Sequence, residues 1–259
     1  MDVNRLPWKL AWKLAGRPVF GYDCEPMSRL AAAKPASVPA TSLVADAYRA
    51  LKEAIRDTTL APGYQGSEQE IALRLGMSRT PVHEALIRLQ EEGLVRILAK
   101  RGVLVLALSP HDMREIYDVI IALEGAAAEL IAAKPEAERR RIAAELDAID
   151  SEMKAALQRD DREAWARADD HFHRALIERS GNGRLARLAN TTMDQGHRAR
   201  MMTLRLRAKP VKSAKEHQAI VKAIRSGDAA SAGSHAKAHR LRARDELLPL
   251  LEQFGMKQL

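Results

Sequence analysis

Ser78-Arg79-Thr80-Pro81-Val82-His83-Glu84-Ala85-Leu86, closed by Glu92-Gly93-Leu94-Val95, is the stretch on which the fold turns. Val82, Leu86 and Leu89 recur at helical spacing and mark a buried face, while Arg79, Thr80 and His83 share the exposed first turn. Either Ser78 or Thr80 can cap this helix, Pro81 is tolerated in its first turn, and Gly93 stops it. Just upstream, Ser67 and Glu70 form a capping box that starts a second short helix, Ser67 to Leu75, ended by Gly76. Two short helices about a Gly-containing turn, the second opening on hydrogen-bonding side chains, make a helix-turn-helix and imply a double-stranded DNA operator as partner.

Working outward, Leu43 to Arg56 places Ala47, Leu51 and Ile55 on one face with Tyr48 beside them, and Ala61-Pro62-Gly63 breaks the chain. Residues 94–97 and 103–106 read as two strands joined through 98–102, a wing. These elements define a first domain over residues 41–108. From Ser109 the strand signals vanish. Ser109-Pro110-His111-Asp112 is a capping box with Pro at the favoured first helical position. Helices are expected over 110–132, 136–158, 162–180, 184–207, 214–226 and 229–252. The expected fold is mainly α: a winged helix-turn-helix, then an all-α antiparallel helical bundle over 109–259.

Composition agrees. Hydrophobic residues make up 46%, enough for packed cores, and aromatics only 4%, which favours helix-on-helix packing over a β-sandwich. The net charge of +8 suits a polyanion partner. Residues 41–108, however, hold nine Lys/Arg and eight Asp/Glu, so a DNA-binding patch there must come from the arrangement of charge. Cys24 is the only cysteine, which excludes an intrachain disulfide and fits a reducing cytoplasm. No apolar run approaches the roughly 20 residues of a membrane span.

Residues 1–40 differ from the rest. Trp8, Leu10, Trp12 and Leu14 with Lys9 and Lys13 can form a basic amphipathic arm for a membrane surface or partner. The reading preferred here is a poorly ordered tail, with Met27 as an alternative start and an Ala/Pro/Ser linker over 31–40. A chain starting at Met27 is expected to fold and bind DNA.

Arg79 is the strongest candidate for reading bases, because its fork matches guanine O6 and N7. Ser78, Thr80 and His83 share its helix start. Gln69 lies on the preceding helix, which crosses the DNA backbone in this motif. Arg101 and Gly102 occupy the wing tip, where Arg favours a narrow minor groove and Gly permits close backbone approach. The competing reading of these residues is a solvated surface on a helical hairpin.

Residues 43–106, through Pro62-Gly63, Glu68-Gln69-Glu70, Leu75-Gly76, Ser78-Arg79-Thr80-Pro81-Val82, Glu84-Ala85-Leu86, Glu92-Gly93-Leu94-Val95 and Arg101-Gly102, resemble the winged helix of GntR-family transcriptional regulators. The resemblance implies Arg at the position of His83 and an aliphatic residue at Gly66, so this chain departs at both.

A second constellation lies in the bundle. Asp169 and His173, four apart, share one helix face. His217 and His239 lie equidistant from Asp228, beside the turn at Gly227, so they can face each other across an antiparallel hairpin. One carboxylate and up to three imidazoles would suit Zn, Ni, Co or Mn with room for an exogenous ligand. Separate surface polar residues satisfy the same spacings. His171 faces away from His173, and spacing leaves His235 open.

Asp169-x-x-Phe172-His173, Ser180-Gly181-Asn182, Glu216-His217-x-x-Ile220, Gly227-Asp228 and His239 resemble the FCD effector domain of the FadR-type branch. That resemblance implies a divalent metal on Asp169, His173, His217 and His239 beneath an effector pocket. Many members carry Arg where this chain has Ile120, four residues before Glu124. Of the arginines crowding the fourth bundle helix (Arg198, Arg200, Arg205 and Arg207), Arg198 and Arg200 are the candidates for holding an organic anion.

The expected function is a ligand-responsive, repressor-type DNA-binding regulator. It would be homodimeric because one recognition helix reads too few bases, cytoplasmic, not an enzyme, and responsive to a small carboxylate effector. The rivals are a metal-dependent hydrolase with an appended DNA-binding module, and an architectural DNA-binding protein whose bundle serves dimerisation alone.

Overall fold

The computed structural model describes residues 40–253. The expected N-terminal arm, with Trp8, Trp12, Cys24 and Met27, lies outside the described residues.

Helix α1 (Ala40–Arg56) buries Ala47, Leu51 and Ile55, the expected stripe. Strand β1 (Gln65–Gly66) leads into α2 (Glu68–Leu75), where Ser67 Oγ accepts from the Glu70 amide at 3.0 Å. The reciprocal half of the expected capping box is not formed, because the Glu70 carboxylate turns to Arg74. Gly76, at φ 64°, closes α2 in the left-handed conformation that a Cβ disfavours. Helix α3 (Arg79–Glu91) follows, with Ser78 at its cap position but no side-chain capping bond. Val82, Ala85, Leu86 and Leu89 of α3 are buried.

The wing is a three-stranded antiparallel sheet in the order β1-β3-β2. Strand β2 (Val95–Leu98) pairs Val95 with Val105 of β3 (Gly102–Val105), and β1 pairs Gln65 with Leu104. Two residues of β1 are too few for a period-two signal, so the sequence gives no sign of this strand. It also accounts for Gly102 and Gly66. At φ 85°, a Cβ on Gly102 would run into the Gly66 carbonyl, and one on Gly66 would meet the Tyr64 ring. The glycine at the wing therefore serves a close strand crossing.

The bundle comprises α4 (Pro110–Ala132), α5 (Glu136–Gln158), α6 (Arg162–Arg179), α7 (Gly183–Met202), α8 (Val211–Ser226) and α9 (Ala229–Gln253). Ser109 and Asp112 complete their capping box, with Pro110 at the first helical position. Helix α9 lies along α4 and α8, and α5 along α6 and α8. Helix α7 stops five residues short of expectation. Thr203 Oγ1 bonds back to the Ala199 carbonyl at 2.8 Å, and the next residues continue as turns. One apolar cluster falls within residues 47–105, and two fall within 113–251. No described helix is long and apolar enough to cross a membrane.

Candidate functional site

Helices α6, α8 and α9 each aim donors at one buried point. His217 Nε2 lies 3.3 Å from His239 Nε2, which lies 3.3 Å from His173 Nε2. Asp169 Oδ1 is 3.8 Å from His173 Nε2 and 3.9 Å from His217 Nε2. The four donor atoms lie within 4.8 Å of one another, and all four residues are buried. The i, i+4 pair and the hairpin pair thus meet. His171 and His235 are exposed and outside the cluster.

Three carboxylates that sequence reading left without a role stand behind the imidazoles. His173 Nδ1 is 2.9 Å from Glu124 Oε2, and His239 Nδ1 is 2.7 Å from Glu216 Oε2. His217 Nδ1 faces Asp150 Oδ1 at 3.8 Å, too long for a hydrogen bond, and each of these atoms lacks a partner. A carboxylate at Nδ1 keeps the proton there, so the Nε2 lone pairs of His173 and His239 point inward. Phe172 stacks on His217 at 4.2 Å between centroids and holds that ring's plane. Convergent lone pairs at these separations repel each other unless a cation lies among them, so the donor set fits a divalent metal. No spacing rule joins α4 or α5 to the histidines, so only packing reveals Glu124 and Asp150.

Burial sets the charge states. It pushes His239 down to about 3 and lowers His217 as well, despite the carboxylates beside them. Burial acts to raise Asp169, but its partners His173, His217 and Arg200 prevail and hold it well below the carboxylate range. Glu124 grips Arg240 through two bonds, Oε2 to Nε at 2.8 Å and Oε1 to Nη2 at 2.5 Å.

A small cavity of about 30 Å³ lies beside this cluster. Asp169 and His239 line it together with Arg162, Trp165, Arg200 and Arg207. Arg200 is therefore placed as expected. Arg198 is not: it is 0% exposed and reaches the other way, donating from Nη1 to the Leu106 carbonyl at 2.8 Å. Two residues along a helix turn a side chain through about 200°, so Arg198 and Arg200 cannot share a face. Arg207 takes its place because the chain leaves the helix before it. Arg205 pairs with Glu163 on the surface.

At the other end of the molecule, Gln69, Ser78, Arg79, Thr80, His83 and Arg101 are all exposed, and Gly102 is half-buried in the wing. Glu68, which sequence reading passed over, organises two of them. Its carboxylate receives Arg79 Nε at 3.0 Å and lies 2.9 Å from His83 Nδ1. Burial acts to raise the Glu68 pKa, but these two partners hold it below its usual range. With Nε anchored, the two terminal nitrogens of Arg79 are left to face a ligand.

Between the two ends, charges cross from one unit to the other. Arg56 of α1 contacts Asp170 at 2.6 Å and Asp194 at 3.1 Å, and Lys52 contacts Asp194 at 2.7 Å. Asp170 also receives Arg174 at 2.7 Å and Arg200 at 3.2 Å. One carboxylate, adjacent in sequence to Asp169, thus touches both the pocket wall and the helix-turn-helix unit. Gln195 adds a bond to the Glu92 carbonyl at 2.8 Å.

Comparison with known proteins gives two family matches: "Bacterial regulatory proteins, gntR family" over residues 43–105, and "FCD domain" over 115–242. An Agrobacterium vitis protein described as an uncharacterized HTH-type transcriptional regulator in the TAR-I ttuE-ttuC' intergenic region is 50% identical over 161 residues. The match covers 62% of this chain and 92% of that protein. A probable D-xylose utilization operon transcriptional repressor of Paenarthrobacter nicotinovorans is 32% identical, covering 68% of this chain and 75% of that one. Among solved structures, E. coli McbR/YncC shares the fold at TM-score 0.69 and 20% identity, covering 82% of this chain and 97% of that one.

Proposed function

The chain belongs to the gntR family of bacterial regulatory proteins, with an FCD domain behind its DNA-binding unit, and on that footing we propose a cytoplasmic, homodimeric repressor released from its operator by a small organic acid. Asp169, His173, His217 and His239 would hold a divalent metal, Zn, Ni, Co or Mn. Once bound, the metal supplies a Lewis-acidic cation beside which a carboxylate can bind. The observation that carries the reading is Arg200, which lines the pocket yet donates to Asp170, the carboxylate that Arg56 contacts from the DNA-binding unit. An acid on Arg200 competes with Asp170 for the same guanidinium and so changes what Arg56 meets. That is a differential contact between two states, which coupling between sites requires.

The test is a thermal-shift screen of organic acids on metal-reconstituted protein, followed by operator binding with each hit. A ligand of the folded state raises the midpoint. Acids that stabilise the protein without moving operator affinity would leave a binding protein that is not a sensor. The hydrolase rival predicts turnover of the acid, visible by NMR.

Two predictions follow from the placements above. Arg79→Ala is expected to weaken operator binding by about 1–3 kcal/mol and to relax preference at one base pair in each half-site. Binding measured across single-base operator variants checks it, and an unchanged profile rules out direct readout by Arg79. Arg56→Ala is expected to keep full metal content while at least halving the coupling between acid and operator. Such couplings are typically about 1–3 kcal/mol. Operator affinity with and without acid, compared between variant and wild type, gives the figure, and an undiminished response refutes the route through Asp170.

A further inference from the structure

The pocket beside the histidine cluster holds more positive charge than its own acids answer. Arg240 is paired with Glu124, and Arg242 with Glu216 and Glu246. Arg162 and Arg207 have no carboxylate in ion-pair range among the described residues. Arg162 Nη1 donates instead to the carbonyls of Leu204 at 3.2 Å and Arg207 at 2.7 Å, and Arg207 Nη2 to the carbonyl of Arg200 at 3.0 Å. Burial pulls Arg207 below the usual arginine range.

Three further donors in the same wall are buried and meet no acceptor: Arg207 Nε, Arg200 Nη1 and the indole N–H of Trp165. Trp165 is 4% exposed and Arg200 6%. Buried donors of this kind are nearly always satisfied in folded proteins, and an orphan bears the full cost of its desolvation. All three line the pocket that Asp169 and His239 also line.

A monocarboxylate bound at the His–Asp centre spends its only charge there. It leaves Arg162, Arg207 and the indole N–H unanswered. We propose that the ligand is a short dicarboxylic acid, with one carboxylate directed at the Asp169/His173/His217/His239 centre and the other received by Arg207 and Arg162, oriented by the Trp165 N–H. The guanidinium fork matches a carboxylate in the plane, which is why arginine rather than lysine suits this end. Arg200 lines the same pocket, its carbonyl receives Arg207 Nη2 and its Nη2 donates to Asp170, so the same ligand bears on the contact with Asp170. This assignment rests on the organic-acid reading above and narrows it to a chemical class.

The experiment is isothermal titration calorimetry of the full chain reconstituted with Zn(II), using succinate against butyrate, which differ only in the second carboxylate. Malonate and glutarate then test chain length. At least one diacid is expected to bind at least 30-fold more tightly than butyrate. Arg207→Gln is expected to remove at least tenfold of that preference. Trp165→Phe is expected to lower diacid affinity several-fold. Circular dichroism and the ligand-free melting midpoint check that each variant is folded, and elemental analysis after each titration checks that the metal stays bound.

Butyrate binding as tightly as the best diacid, or full diacid affinity in the Arg162→Gln/Arg207→Gln double variant, overturns the second carboxylate subsite and leaves the organic-acid reading standing. A heat signal that tracks loss of metal from the protein is extraction and overturns the assignment too. Failure of monoacids and diacids alike to bind folded, metal-loaded protein overturns both readings.

Discussion

Glu124→Ala is expected to cost about 3–5 kcal/mol of stability. Glu124 and Arg240 are each 1% exposed, and Arg240 spends two donors on that one carboxylate. Truncating the acid leaves a guanidinium buried without a counter-charge, and the energy of that orphan dominates the loss. His173 also loses the acceptor that fixes its ring. The effect has a pH signature. Burial alone would raise the Glu124 pKa, but the charge of Arg240 and the bond to His173 outweigh it and hold the folded-state value far below the usual range. A depressed folded value means the contribution is complete above the unfolded value of about 4.3 and is lost as pH falls from there toward the folded one. Urea unfolding followed by circular dichroism should therefore show wild type and variant far apart at pH 7 and closer near pH 3. A difference under 1 kcal/mol at pH 7 would show that Arg240 finds another partner. Glu124→Gln, which keeps an acceptor but not the charge, should fall between the two.

The Asp169→Ala/His217→Ala double variant is expected to take metal content from about one ion per chain to less than a tenth of that. Removing two of four ligands from a buried site leaves a coordination set too small to displace the ion's water. Melting temperature should fall with it, since an ion bound only by the native state stabilises that state by mass action. Basal operator binding should largely survive, because the apolar cluster of residues 47–105 is separate from the bundle. Free imidazole loses its metal-binding form as pH drops below about 6.5. Here burial holds His217 low and His239 at about 3, so both stay neutral and able to coordinate in milder acid. The depressed values also tell against the metal-free protein. The stability that neutral imidazoles contribute is full above about pH 6.5 and is lost as pH falls toward the folded values. Elemental analysis of untagged protein across pH 5–7.5 measures metal retention, and melting of the metal-free protein over the same range measures the loss of stability. Full retention of metal in the double variant would refute the site, and complete release from wild type at pH 6.5 would refute the neutral, buried histidines.

The sequence by itself determined the order of the helices, because that order rests on local chemistry. Ser109-Pro110 starts α4, Gly76 and Gly227 end α2 and α8, and the stripe of Ala47, Leu51 and Ile55 runs along α1. Spacing also offered Asp169 with His173 and His217 with His239 as pairs that could converge, with His235 left open, and the FCD resemblance implied the set of four. Only the tertiary structure decided what surrounds them. Glu124, Asp150 and Glu216 come from three helices, and the pairing of Glu124 with Arg240 spans 116 residues. Strand β1 was hidden by its length, since two residues carry no alternation. Arg198 faces away from Arg200 because two residues along α7 turn a side chain to the opposite side, whereas Arg207 reaches the pocket because α7 has ended at Met202 before it. Periodicity reports which face of one element is buried. It cannot report which faces of different elements meet, and a metal centre, a buried ion pair and a ligand pocket are all meetings of that second kind.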